Sequence, residues 1–178
     1  MAPGDIYLRR PSADHKRALF EAAFALLDKE GMARVSLRAA ARRLDLPRSA
    51  AVRCFPNRKA LLTEMATATM RELTGRIDEA RARSAPGSQQ WRAVGAAAFE
   101  YATSAPHRYA LCWRFDEMSA DDPRWRAAGD DLCALLRKVL AVRPGEAGDS
   151  LVAAGSLLQG YVALRHCGAI ALRVPAPA

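Results

Sequence analysis

Hydrophobic residues recur along this chain at spacings of three and four, the repeat that places them on one face of an α-helix. In the first such segment, residues 14–30, the repeat consists of Leu19, Phe20, Ala23, Phe24 and Leu27. Residues 58–83 carry a similar apolar seam. No segment shows the alternating pattern and β-branched enrichment that are typical of a strand. The pattern therefore predicts an all-α protein.

Capping residues and prolines divide this pattern into eight predicted helices. Ser36 is a suitable N-cap for the second helix, and Asn57 is one for the fourth. Gly31 is expected to end the first helix, and Pro47 suits the first turn of the third. The predicted helices cover residues 14–30, 37–44, 47–55, 58–83, 89–104, 106–115, 123–142 and 149–172.

Length and composition exclude a membrane-spanning chain and favour a globular one. Of the 178 residues 51% are hydrophobic, but the apolar runs end well short of the roughly 20 residues that a membrane span needs. The first residues lack the apolar stretch of a secretory signal, so we expect a cytoplasmic protein. The four cysteines, Cys54, Cys112, Cys133 and Cys167, lie more than 20 residues apart. This spacing predicts neither a disulfide framework nor a structural metal.

Positive charge is concentrated in the N-terminal half of the chain. The net charge is +8, and residues 1–83 hold 17 basic and 10 acidic side chains, an excess of seven. Within them, residues 34–59 carry eight basic side chains against Asp45 alone. Codon bias explains the preference for arginine over lysine but not this clustering. The clustering predicts a polyanionic partner.

Two short helices joined by a tight turn, preceded by a longer helix and carrying this charge, are typical of a helix-turn-helix that reads DNA. The second short helix, residues 47–55, has mostly small side chains, so it can enter the major groove deeply. Its long polar side chains are Arg48 and Arg53. Neighbouring arginines and helix N-termini are expected to hold phosphates.

Residues 15–65 resemble the N-terminal signature of the TetR-type bacterial transcriptional regulators. The matching positions are Gly31, Ser36, Arg38, Ala41, Phe55, Arg58, Leu61 and Leu62. The resemblance implies that residues 1–60 form a three-helix DNA-binding domain. A long helix would join it to an all-helical domain, residues 61–178, that binds an effector and dimerises. The implied function is that of a homodimeric repressor, released from a palindromic double-stranded DNA operator by a small molecule of unknown identity.

The resemblance also implies a set of DNA-binding residues. These are Ser36, Arg38, Arg48, Ser49 and Arg58. Arg53 of the second short helix and Lys59 of the basic cluster complete the predicted DNA-binding residues. Three positions depart from the family pattern: Asp45 replaces a turn glycine, Pro47 replaces a capping serine, and Val52 replaces a phosphate-binding tyrosine. These departures motivate an alternative, a TetR-like protein with degenerate DNA-binding residues that acts through ligand or protein binding.

The C-terminal half resembles one regulatory branch of the same family over residues 96–115, and Gln159 stands where that branch often has a histidine. The predicted effector-binding residues are Tyr101, Tyr109, Trp113 and Tyr161, because each combines an aromatic body with a polar atom. An ordinary core role is the alternative for each. The expected dimer seam of the last two helices contains Leu132, Leu135, Leu136, Val139, Leu151, Leu158 and Val162.

The sequence gives only weak indications of a metal site or an enzyme active site. His107 and His166 could form a ligand-binding or metal pair, but isolated histidines are more often packed or solvated. A solvated loop is likewise favoured over a cation site for the acidic residues Asp116, Glu117, Asp121 and Asp122. The sequence contains no nucleophile motif or phosphate-cradling glycine loop. We therefore expect no enzyme activity, no metal and no cofactor.

Overall fold

The structure, a computed structural model, describes residues 13–140 and 147–166. Over these residues the chain forms eight α-helices and no strand, which confirms the predicted all-α class. Two short 3₁₀ turns, Met32–Arg34 and Phe115–Glu117, lie between helices. The helices are α1 (Ala13–Glu30), α2 (Leu37–Arg43), α3 (Arg48–Cys54), α4 (Arg58–Ala82), α5 (Ser88–Ser104), α6 (Pro106–Cys112), α7 (Pro123–Leu140) and α8 (Ala147–His166).

The predicted helix boundaries agree with these bounds within two residues from α1 to α5. Helix α6 ends earlier than expected, at Cys112 rather than Phe115. The backbone N–H groups of Trp113 and Arg114 each bond to the carbonyl three residues back, so the chain tightens and leaves the α-helix there. The predicted ends of the last two helices, at residues 142 and 172, lie outside the described residues.

Local capping explains where several helices begin. The Oγ atom of Ser36 accepts a hydrogen bond from the backbone N–H of Ala39 at 3.1 Å, which confirms this predicted N-cap. The Oδ1 atom of Asn57 accepts from the backbone N–H of Ala60 at 2.8 Å and caps α4 in the same way. Gly31 follows α1 with a φ of +78°, a conformation that favours glycine.

The described residues form two compact units. The first unit combines the chain up to Glu72 with Ala105–Gly129, and the second combines Leu73–Ser104 with the described residues from Asp130 onwards. These are structural units. The predicted functional division after residue 60, into DNA-binding and effector-binding parts, stays a prediction.

The first unit is built on α1, α2 and α3, which pack against one another. Helix α6 packs on α1 from further along the chain. The core of this unit consists of fully buried apolar side chains, including Leu19, Leu27, Val35, Phe55, Leu61 and Leu62. Burial of such side chains is the main stabilising contribution to a helical fold of this size.

The second unit contains α5 and α8, which pack together, along with the later parts of α4 and α7. Leu132, Leu135 and Val162 are 6%, 7% and 4% exposed, so this chain already covers three residues of the predicted dimer seam. That part of the seam prediction is wrong, because helical periodicity finds an apolar face without showing what covers it. Leu151 lies outside the side chains that the structure describes.

Candidate functional site

The α2–α3 pair is joined by a four-residue turn. The backbone N–H of Leu46 in this turn bonds to the carbonyl of Ala41 at 3.0 Å and closes it. Helix α3 then buries Ala50 and Ala51 towards α1 and α2. Small buried residues on its inner side let α3 lie close to its neighbours, so its outer side is presented to solvent.

Asp45 holds the turn in a left-handed conformation. Its φ is +51°, and it is the residue other than glycine with a positive φ in the described part of the chain. This conformation explains why a glycine suits the position, since a side chain there is strained; aspartate is among the residues that tolerate it best. The departure from the family pattern at Asp45 therefore retains the turn while adding a negative charge next to α3.

Basic side chains cover the outer side of the α2–α3 pair. Among the DNA-binding residues predicted from the sequence, five are exposed there or at the start of α4: Arg38, Arg48, Ser49, Arg53 and Lys59. Within the described residues, no salt bridge engages Arg38, Arg48 or Lys59. Unpartnered cations side by side raise the local positive potential, which suits a polyanion.

Two further arginines missed by the residue predictions border the same surface. Arg42, on α2, is exposed and makes no salt bridge within the described residues. Arg43 is different, because its Nη2 atom lies 3.1 Å from Oε1 of Glu30 on α1. The exposed face of α2 therefore contains one more unpartnered arginine than the family resemblance implied.

Ser36 and Arg58 are committed to contacts within the chain. The Ser36 oxygen caps α2, as described above. The Arg58 guanidinium donates from Nε to the carbonyl of Val35 at 2.9 Å and from Nη2 to that of Met32 at 3.1 Å. Its Nη1 atom lies 2.6 Å from Oε2 of Glu117. The Arg58 side chain thus joins three segments of the chain. The evidence for DNA contact comes from the exposed residues instead.

The N-terminus of α3 lacks a side-chain cap. Pro47 occupies the N-cap position, and no side chain bonds to the first N–H groups of the helix. Val52, where the family has a tyrosine, is 41% exposed on α3. Its isopropyl group offers no hydrogen bond to a phosphate. Both departures lie on the outer, exposed side of the helix.

The predicted effector-binding residues are divided between the two units. Tyr109 and Trp113 belong to the first, with ring centroids 5.7 Å apart in an edge-to-face arrangement. Tyr101 belongs to the second, where it is fully buried and Arg76 lies 5.1 Å from its ring centroid. Tyr161, also in the second, packs on Phe99 with centroids 5.0 Å apart. Each ring has a packing role in its own unit.

Three buried polar atoms of described residues have no hydrogen-bond partner: Tyr109 Oη, Trp113 Nε1 and Gln159 Oε1. Burial raises the pKa of the Tyr109 phenol to about 12, although the nearby Trp113 side chain opposes the rise. Orphan polar atoms in a folded core are uncommon and point to something that could satisfy them. Two of the three belong to predicted effector-binding residues.

A groove of about 330 Å³ lies between α4 and α5 in the second unit. Its floor is made of alanines, and its rim carries Arg76, Glu79, Arg83 and Glu100. Arg83 and Glu79 pair with each other at 2.6 Å. None of the predicted effector-binding residues lines this groove.

The acidic residues between 116 and 122 pair with nearby arginines in a largely solvent-exposed segment. Arg114 donates to both carboxylate oxygens of Asp116 and lowers the pKa of that carboxyl. Arg124 does the same to Asp122. Asp121 pairs with Arg126 at 2.7 Å. The Asp116 and Asp121 side chains remain 66% and 98% exposed, as a solvated loop requires, although arginines of the same segment pair with them.

Neither the histidines nor the cysteines are arranged as a reactive centre. The His107 ring lies against Gly31, with Cε1 3.4 Å from where a Cβ atom on that glycine would stand. The side chain of His166 lies outside the described residues. Burial raises the pKa of the Cys112 thiol to about 12, so this thiol stays protonated. Across residues 13–140 and 147–166, no group of three His, Cys, Asp or Glu side chains could hold a metal.

Comparison with known families bears on the C-terminal half. Residues 91–178 match the family described as the tetracyclin repressor-like, C-terminal domain. This half of the chain is TetR-like. No curated protein matches the sequence. Among the described helices, none is long and apolar enough to cross a membrane.

Solved structures share the fold. A Rhodococcus sp. RHA1 protein of unknown function has a TM-score of 0.74 and 22% identity, covering 86% of this chain and 83% of its own. A candidate regulatory protein, SCO4313, has a TM-score of 0.68 and 18% identity over 87% of this chain and 85% of its own. A candidate transcriptional regulator from Pseudomonas aeruginosa PAO1 has a TM-score of 0.63 and 16% identity, with coverages of 93% and 86%. The chain therefore has the fold of these proteins over most of its length.

Sequence reasoning missed the attachment of residues 105–129 to the first unit. Arg108 makes a bidentate contact with Asp28 on α1, at 2.8 and 2.6 Å. The hydroxyl of Thr63 on α4 accepts from the backbone N–H of Ser119 at 2.9 Å. These partners lie 80 and 56 residues apart in the sequence. No local pattern signals such pairs.

Proposed function

We propose that this TetR-like protein is a DNA-binding transcriptional regulator that responds to a small ligand. It acts in the cytoplasm as a homodimeric repressor, and an effector releases it from a palindromic operator. The observation that carries this proposal is the row of exposed arginines on α2 and α3, of which Arg38, Arg42 and Arg48 make no salt bridge within the described residues. A surface of this kind binds phosphates and base edges.

The α2–turn–α3 geometry supports a division of labour among these side chains. A short recognition helix presents its N-terminal residues to base edges in the major groove, while the preceding helix crosses the backbone. Arg48 and Ser49, at the start of α3, are then placed to read bases. Arg38 and Arg42 on α2, with Lys59 at the start of α4, are placed to hold phosphates.

An apolar surface on α8 supports a homodimer. Leu157 and Leu164, which lie on one face of the helix, are 76% and 44% exposed. Gly160 lies between the two leucines and meets nothing within 4 Å of a Cβ position. Exposed large apolar side chains around a small residue on one helix suit close packing against a second copy. Two copies present two α3 helices, which fits an operator with two inverted half-sites.

The TetR-like C-terminal half supports ligand response and a regulatory role without enzyme activity. The family match covers residues 91–178, which contain all four predicted effector-binding residues. Polar atoms without partners, on Tyr109 and Trp113, could orient a bound molecule. The effector's exit or arrival would change the separation of the two α3 helices and hence the operator affinity.

A second candidate function rests on the departures in the α2–α3 pair. Asp45 brings a negative charge to the turn, and Val52 lacks a hydroxyl. Arg58 is held by three acceptors within the chain. A protein with these features could retain the fold and act through ligand or protein binding alone.

Selection from a pool of random DNA duplexes separates the two functions. The full-length protein is incubated with the pool at moderate salt, and bound duplexes are amplified and sequenced over successive rounds. The proposal predicts enrichment of an inverted repeat whose half-sites lie one helical turn or a multiple of it apart. Duplexes retained without any shared sequence would indicate phosphate attraction only and would favour the second candidate.

A further inference from the structure

An exposed valine lies in the middle of the outer side of α3. Ala50 and Ala51 are buried on the inner side, whereas Val52 is 41% exposed. At 3.6 residues per turn, the exposed side chains follow one another around the helix in the order Arg48, Val52, Ser49 and Arg53. Val52 and Ser49 therefore occupy the middle of this side, and an arginine lies at each edge.

The surroundings of Val52 favour a DNA duplex over an apolar protein surface. Over residues 37–54, all of which the structure describes, Val52 is the one large apolar side chain that is exposed. A protein interface needs a contiguous apolar patch, which a single valine does not supply. The neighbouring Arg38 and Arg48 make no salt bridge within the described residues. The phosphates of a duplex would neutralise such cations, whereas an apolar protein surface would not.

The chemistry of the major groove identifies what Val52 contacts. An isopropyl group makes no hydrogen bond to a phosphate, and an alkyl group that covers a donor or acceptor of a base edge removes its water without replacing it. Thymine presents an apolar group in this groove, its C5 methyl group. We propose that Val52 packs on the C5 methyl group of a pyrimidine, which is thymine in unmodified DNA, at a fixed position of each half-site. This inference rests on the proposed function in one respect, that α3 enters the major groove.

The spacing along α3 predicts where the methyl group lies in the half-site. Ser49 and Val52 are short, so the middle of α3 can approach the base edges while the longer arginine side chains extend past them at either edge. Val52 follows Arg48 by four residues, which is about 6 Å along the helix, or about two base-pair steps. The thymine is therefore expected within about two base pairs of the pair that Arg48 reads.

The test replaces thymine by deoxyuridine, which lacks the C5 methyl group and keeps the hydrogen-bonding groups of the base. In the duplex selected from the random pool, each thymine of one half-site is replaced in turn, and the affinity of the full-length protein is measured by fluorescence anisotropy. One replacement near the pair read by Arg48 is expected to weaken binding roughly fourfold, the ratio that burial of one aliphatic carbon supplies. Unaltered affinity for every uracil duplex would overturn the proposal.

Variants assign the methyl contact to Val52. Val52→Ala is expected to bind the thymine duplex roughly fourfold more weakly than the parent does, and to bind the thymine and uracil duplexes equally. Val152→Ala is the matched control, because Val152 is an exposed valine of α8, and it should keep the fourfold ratio. The stability of Val52→Ala should not fall, because the residue is exposed and alanine favours a helix. A fourfold ratio that persists in Val52→Ala would place the methyl contact on another residue and overturn the proposal.

Methylated cytosine carries the same methyl group at C5, so the two sources are compared at the position found. Duplexes with cytosine and with 5-methylcytosine at that position should show the same roughly fourfold ratio, because burial of the methyl group supplies it in both bases. Tighter binding to thymine than to 5-methylcytosine would make thymine the natural source of the methyl group, and the reverse order would make it the methylated base. Equal binding to cytosine and 5-methylcytosine would contradict the methyl contact.

The inference and the proposed function fail in different ways. If selection enriches no shared sequence, α3 does not read bases, and both are overturned. If selection enriches an inverted repeat but no uracil duplex binds more weakly, sequence readout stands and only the Val52 contact is overturned. Release by an effector plays no part in these measurements, so its absence would leave the Val52 contact unaffected.

Discussion

The arginines of the α2–α3 face and those of residues 105–129 share one chemistry but have opposite surroundings. In the first group, Arg38 and Arg48 are exposed and make no salt bridge within the described residues. In the second, Arg108 and Arg124 each contact acidic side chains from more than one part of the chain. Both groups belong to the first unit. The net charge of a segment therefore says little until the partners of each cation are known.

The difference shows two uses of arginine in one unit. A guanidinium with a fork of donors can fasten segments that are distant in sequence when a carboxylate meets it in a fixed geometry. Where no carboxylate is provided, the same group remains available to an external anion. The contrast predicts that substitutions in the two groups affect different quantities, the DNA affinity in one case and the free energy of unfolding in the other.

The largest expected effect concerns Arg48. Replacement by alanine should lower affinity for the selected duplex by about 1–3 kcal/mol, roughly 5-fold to 150-fold, if the side chain contacts a base. The free energy of unfolding should change by less than about 0.5 kcal/mol, because the residue is exposed. Fluorescence anisotropy with labelled duplex and urea unfolding measure the two quantities. Arg92→Ala, an exposed arginine on α5, is the control and should leave both unchanged.

Replacement of Arg108 should lower the free energy of unfolding and leave the DNA affinity unchanged. Its guanidinium bonds to both oxygens of Asp28 and lies 4.6 Å from the ring centroid of Phe24. Arg108→Ala is expected to lower the free energy of unfolding by roughly 2 kcal/mol, since it removes charge-assisted hydrogen bonds and ring packing that are partly shielded from solvent. Arg108→Lys should recover only part of this loss, because lysine cannot make the bidentate contact.

DNA binding by Arg108→Ala can contradict this difference between the two groups of arginines. DNA affinity per folded molecule should be unaltered in Arg108→Ala at a temperature where the variant is fully folded. Should the alanine variant lose DNA affinity as strongly as Arg48→Ala while remaining folded, the separation of the two arginine groups would not hold.

Asp45→Gly should raise both the free energy of unfolding and the affinity for DNA. Glycine adopts the positive φ of this turn without strain, so stability is expected to rise by up to about 1 kcal/mol. Loss of the carboxylate should also tighten DNA binding at low salt, with a smaller gain at high salt because the interaction is screened. Asp45→Asn is the matched variant, since it removes the charge and retains a side chain that tolerates this φ. Unaltered DNA affinity in both variants would show that the turn lies away from the phosphates.

The smallest expected effect concerns Asp122 and pH. Its Oδ1 atom accepts from the backbone N–H groups of Arg124 and Trp125 and caps α7, so Asp122→Ala should cost roughly 1 kcal/mol. The hydrogen bonds from the Arg124 side chain lower the pKa of this carboxyl in the folded state. Its stabilising contribution is therefore complete above the pKa of the unfolded chain and is lost as the pH falls through the lower, folded value.

Thermal unfolding between pH 6 and pH 3 measures this dependence. Asp122→Asn retains a capping oxygen without a titrating charge, so its unfolding temperature should fall less steeply with acid than that of the parent. Parallel curves for the two proteins would mean that Asp122 does not contribute to the acid sensitivity.

The sequence was sufficient where the determining interactions are local. Ser36 and Asn57 were predicted as caps because a cap depends on residues three positions away. Arg58 shows the opposite case, since its partner Glu117 lies 59 residues further along the chain. Its family position suggested phosphate binding, and only the three-dimensional contacts assign it to the attachment of the 3₁₀ turns.

The apolar positions of α8 show a second limit. Periodicity places Val162 on an apolar face, and the structure buries it within the chain at 4% exposure. Leu157, on the same helix, is 76% exposed. Both residues are apolar, and the pattern alone does not distinguish a face covered by the chain itself from one left for a second copy.

The most direct test of the central claim is binding of the purified protein to a labelled duplex from its own upstream region. A scrambled duplex of equal length is the competitor, and the affinities are measured at two salt concentrations. If the exposed arginines of α2 and α3 read sequence, the preference for the upstream duplex persists at the higher salt. Weak, equal binding to both duplexes that disappears at the higher salt would contradict sequence readout by this surface.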